Sequence, residues 1–133
     1  MARAGATDYA RFTLAGIRLF NGVTGLVVPG KVATRLGADP DASPGLAYMQ
    51  RMFGIRTILI AAELVLPDRR LRSWAVAVAP LVHATDAAAA ATAGLRGQLP
   101  RRAAVMTTLL STTNTVLAVI AARGRSNDGK RWP

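Results

Sequence analysis

Apolar residues gather along this chain into four long runs, roughly Phe12 to Val28, Met49 to Leu66, Trp74 to Leu95 and Ala103 to Ala122. Each comes close to the ~20 residues that a helix needs to cross ~30 Å of hydrocarbon. The segments between them read as punctuation. PGKVATRLGADPDASPG, from Pro29 to Gly45, is rich in Pro, Gly and Asp, whereas PDRRLR (Pro67 to Arg72) and RGQLPRR (Arg96 to Arg102) are short, basic and marked by proline. The pattern predicts an all-α protein, a four-helix transmembrane bundle running up-down-up-down as a single domain over 1–133, with a polar basic tail from Arg123.

A soluble four-helix bundle is the competing architecture, and its helices should each carry a polar stripe at a period of 3.6 residues. ILIAAELVL and SWAVAVAPLV are apolar nearly all the way round, which favours the membrane. The fourth run is the most polar, with TTLLSTTNTV, but threonine and serine hydroxyls can bond back to their own helix or across to a neighbour. Arg18 and Asn21 interrupt the run that a secretory signal would need to keep apolar, so the first helix is expected to stay in the mature chain.

Composition narrows the picture further. The chain is 51% hydrophobic but only 5% aromatic, which suits closely packed helices better than a sheet. It has no cysteine and one histidine, which removes disulfides, thiol nucleophiles and thiolate metal sites and leaves no expected metal or cofactor. The net charge of +10 suits nucleic acid or an anionic membrane surface. The arginines lie mostly between the apolar runs, and no recognition motif accompanies them, so anionic lipid headgroups are the expected partner and nucleic acid is not.

Orientation follows from the side on which Lys and Arg fall. The side of the termini holds Arg3, Arg11, Arg69, Arg70, Arg72, Arg123, Arg125, Lys130 and Arg131; the other holds Lys31, Arg35, Arg96, Arg101 and Arg102. Nine against five favours cytoplasmic N- and C-termini.

Polar residues inside the spans are the candidate site, because an ionisable group in hydrocarbon normally faces the bundle interior with a partner. The first span carries Arg18 and Asn21, the second Arg51, Arg56 and Glu63, the third His83 and Asp86, and the fourth Asn114. Measured from the Pro29 to Gly45 side at ~1.5 Å per residue, Asn21 and Arg56 lie ~10 Å deep, Asp86 ~12 Å, Arg18 ~15 Å, and His83 and Asn114 ~16 Å. Four helices thus place polar groups in one slab. Arg18 with Asn21, and His83 with Asp86, are three residues apart and share a helix face. Glu63, nearer the cytoplasmic end, could meet Arg11 or Arg69 to Arg72, while Arg51 is expected to snorkel.

Two roles stand open for the third span. Asp86 is either a structural salt bridge to Arg18 or Arg56 or a general acid or base, and His83 is either a core histidine bonded to Asn114 or a threonine of the fourth helix or a proton-transfer group. Two arginines share one acid at this depth, and a buried arginine without a carboxylate needs an anion, water or carbonyls. The assignment is therefore catalytic His83 and Asp86, with Arg18, Asn21, Arg56 and Asn114 binding an amphipathic or lipid-like ligand. Acid-base chemistry on such a ligand would be isomerisation, epoxide opening or cyclisation. A non-catalytic membrane subunit or scaffold is the alternative, its polar layer only specifying helix packing. A homo-oligomer or a larger membrane complex is compatible with both. A proton-coupled transporter fits less well, because no inverted repeat is visible.

RMFGIR on the second span, with Arg51, Phe53, Gly54 and Arg56, and HATD on the third resemble motifs of small four-span membrane proteins of unknown function from high-GC bacteria. The resemblance implies the four-span topology and groups Arg56, His83 and Asp86; it implies no particular activity or substrate.

Overall fold

A computed structural model describes residues 2–42 and 44–128. These form five α-helices and no strand: α1 (Ala2–Val27), α2 (Pro29–Arg35), α3 (Pro44–Val65), α4 (Arg69–Leu95) and α5 (Arg101–Asp128). The helices outrun the apolar runs that signal them, because flanking stretches such as ATDYAR and RRLR are themselves adequate helix formers. Lys130 and Arg131 and the side chains of Arg3 and Arg125, all counted for orientation, lie outside the described residues.

The segment from Pro29 to Gly45 differs from the loop expected of it. Proline at the first helical position has the φ that a helix needs and no N–H to leave unpaired, so Pro29 starts the short helix α2. The pair α1 and α2 bends by 106° at Val28. Gly37, at φ +81°, then closes α2: Ala38 N–H donates to Ala33 O and Gly37 N–H to Thr34 O. Gly97, at φ +67°, ends α4 in the same way, with Gln98 N–H donating to Ala93 O. At the start of α4 the Asp68 carboxylate accepts from the backbone N–H of Arg70 (2.8 Å) and Leu71 (3.0 Å), a strong N-cap.

The four long helices form a ring in which α1 packs on α3 and α5, and α4 packs on α5. The ring closes through a much slighter α3–α4 contact. Small residues set the tight seams. A Cβ placed on Gly54 would meet Gly22 O at 2.6 Å and Leu26 N at 2.8 Å, so α1 and α3 touch backbone to backbone. The centre is built chiefly from alanine, with Ala10, Leu14, Ala15, Leu64, Ala75, Val76, Ala79, Ala118 and Ala121 in one buried cluster.

Large apolar side chains cover much of the outside, and a few polar ones lie within the alanine-rich interior. Phe20, Leu59, Leu81, Leu109 and Val116 are exposed, whereas the buried set includes Arg18, Thr57, His83 and Asn114. By length and composition α4 and residues 101–124 of α5 can cross a membrane, and the bent pair α1 and α2 makes a third span if the two are taken together. Two threonines of α5 bond back to their own helix: Thr107 donates to Ala103 O and Thr115 to Ser111 O, both at 2.8 Å.

Candidate functional site

Arg18 and His83 meet inside the ring. The Arg18 Nε–H donates to His83 Nε2 at 3.1 Å, and the two residues are 4% and 2% exposed. Leu14 and Ala15 on α1 and Ala79 on α4 are buried roughly one turn away, which explains why these two helix faces bring their polar residues inward. The bond fixes the tautomer. Because Nε2 accepts, the proton of a neutral His83 sits on Nδ1. That nitrogen is fully buried and has no hydrogen-bond partner. It faces Asp86 Oδ2 at 3.9 Å, an ion-pair distance too long for a hydrogen bond.

Asp86 lies three residues beyond His83 and so is rotated about 60° round the helix from it. That rotation leaves the carboxylate 43% exposed. The expected salt bridge from Asp86 to Arg18 or Arg56 is not formed: among the described residues the ion pairs are Arg11 with Asp8, and His83 with Asp86. Both arginine charges nevertheless act on Asp86 through space. Arg18 spends its Nε on the imidazole, leaving the N–H groups of its two terminal nitrogens for some other acceptor.

The remaining assigned residues are placed differently from one another. Asn114 on α5 is buried, and its Oδ1 has no partner. His83 therefore bonds Arg18 rather than Asn114 or a threonine of α5. Arg56 is exposed on α3, and Asn21 is half-buried, with its backbone carbonyl accepting from Thr24 Oγ1. Arg51 is exposed as well. Arg11 reaches Asp8 and the carbonyl of Leu64 at the end of α3, both at 2.8 Å, so it caps α3 instead of pairing with Glu63. Thr57, 4% exposed, is a buried polar residue that the sequence reading passed over; its spacing of four and seven residues from Ala61 and Leu64 was the available signal.

Among the described residues no group of three or more His, Asp and Glu side chains comes together, so the chemistry of this centre rests on a guanidinium, an imidazole and a carboxylate. Such a set can bind an oxyanion and move a proton beside it. Two shallow grooves lie elsewhere: one of about 320 Å³ between α1 and α3, lined by Phe12, Leu19, Ile58 and Val65 among others, and one of about 350 Å³ on α5 around Val116 and Arg123.

The fold and centre define the class only as an all-helical chain with an apolar exterior and a buried arginine–histidine pair. No protein-family model, curated protein or solved structure matches it.

Proposed function

We propose that the chain is an integral membrane protein whose four long helices all span the bilayer up-down-up-down, with both termini in the cytoplasm of a bacterium. The many large apolar side chains on the outside support this reading, as does the spanning capacity of α4 and α5. α3 carries Arg51, Arg56 and Glu63, and its place as the remaining span rests on its close packing along α1. The likeness to the small four-span proteins of high-GC bacteria belongs to the same proposal.

Its function, in this reading, is to bind an amphipathic or lipid-like ligand with an anionic or carbonyl head. The observation that carries it is a buried arginine bonded to a neutral acceptor and to no carboxylate. Arg18 would take the ligand head through its terminal nitrogens, with Asn21, Arg56 and Asn114 contributing polar contacts. His83 and Asp86 would exchange a proton with that head: once Arg18 Nε–H releases Nε2, His83 would take a proton there and pass its Nδ1 proton to Asp86 as the 3.9 Å gap closes. Anionic headgroups of the bilayer would meet the basic ends.

The test is retention of isotope-labelled oleate by the full chain in phosphatidylcholine nanodiscs. The native protein should bind it saturably, and R18Q should lose at least tenfold in affinity while keeping its helix content. Undetectable binding to the native chain would sink the reading. The scaffold alternative has one observation of its own, since the Arg18–His83 bond ties α1 to α4 across the ring. If packing alone is the role, R18Q and H83Q should disturb assembly, and oleate should not bind the native chain.

A further inference from the structure

The α3–α4 seam is the slightest of the ring. On α3, Phe53, Arg56 and Ile60 are spaced three and four apart and share a face. Phe53 is 51% exposed and Arg56 is exposed too. This face is turned away from α1, which meets α3 at Gly54 and Ile58. On α4, Val82 and Asp86 share a face, and both Arg18 and Arg56 act electrostatically on Asp86. Charge therefore runs inward from exposed Arg56 through half-exposed Asp86 to buried Arg18, with the orphan His83 Nδ1 beside Asp86.

We infer that the α3–α4 seam is a lateral entrance by which a single-chain anionic amphiphile moves from the bilayer to the Arg18–His83 centre, head first past Arg56. The inference rests on the ligand-binding reading above and adds the route and the kind of ligand. An arginine facing hydrocarbon is costly, and it persists where an anion meets it. Asp86 is the internal counter-charge that the incoming head exchanges with. The surroundings of the seam are apolar, with Met52, Phe53 and Leu81 exposed, so an anion carrying its own acyl chain can stay there and a small hydrophilic anion cannot.

The absence of native cysteine makes the test direct. F53C at the seam and V116C on the exposed face of α5 are each reacted with fluorescein maleimide in phosphatidylcholine nanodiscs, and the association rate of oleate is measured. Labelling at position 53 should slow association at least tenfold, labelling at position 116 should leave it unchanged, and acetate should not compete. Unlabelled F53C must bind oleate as the native chain does, which separates a blocked entrance from a damaged fold. Equal rates for the two labelled proteins, or displacement of oleate by acetate, would overturn the lateral route while leaving the Arg18 site standing. Failure of the native chain to take up oleate at all would remove the site and the route together.

Discussion

Changing Gly54 to alanine should prise α1 from α3 and weaken the whole ring. The new Cβ would lie 2.6 Å from Gly22 O and 2.8 Å from Leu26 N, both backbone atoms that cannot rotate away. Ordinary contact begins near 3.4 Å, so the two helices must separate locally by about 0.8 Å. A gap of that size forfeits roughly a quarter to a half of the dispersion energy of each affected atom pair. Gly22 and Gly25 lie on the same face, so the loss spreads along the seam, and overpacking of this kind costs about 1–3 kcal/mol. The assay is reversible unfolding in mixed micelles titrated with sodium dodecyl sulfate, followed by helical circular dichroism. G16A is the internal control, because a Cβ there meets nothing within 4 Å and alanine is the better helix former. Equal stability of G54A and G16A would refute the backbone-to-backbone account of the α1–α3 seam.

Three further outcomes follow from the same geometry. G37A should lose about 1–2 kcal/mol in the same titration, since φ +81° is left-handed and the added carbon would also collide with the ring of Pro100. D68A should cost about 1 kcal/mol through loss of the α4 N-cap, whereas D68N should retain most of it, and a matching loss in both would discount the cap. In a double-mutant cycle with R18M and H83L, the coupling energy should be about 1.5–3 kcal/mol, the range of a hydrogen bond to a charged group; a value near zero would mean that the bond holds nothing.

The helical character was legible because four long, mainly apolar runs leave the backbone little alternative. α2 was not, since seven residues opened by proline and followed by glycine resemble a loop in composition, and only the cap geometry tells them apart. Within the site, spacing along each helix brought Arg18 and His83 to ~15 and ~16 Å of depth, and the two are in fact bonded. The partner assignment was less readable. Depth says nothing about rotation of one helix against another, and the rotation of α4 turns His83 inward and leaves Asp86 half-exposed. The charges of Arg56 and Asp86 drew notice in the sequence, but their exposure depends on how loosely α3 meets α4, which no periodicity encodes.

If the four long helices span the bilayer as proposed, the 106° bend between α1 and α2 would make the protein its own depth gauge. With α1 upright in a bilayer, α2 lies almost flat, presenting exposed Lys31 and Arg35 at headgroup level. Arg18 then hangs eleven residues below Pro29, ~16 Å down and close to the midplane of a ~30 Å hydrocarbon layer. α2 would float where α1 alone could slide, so the buried arginine should keep its level even as the surrounding membrane thickens or thins.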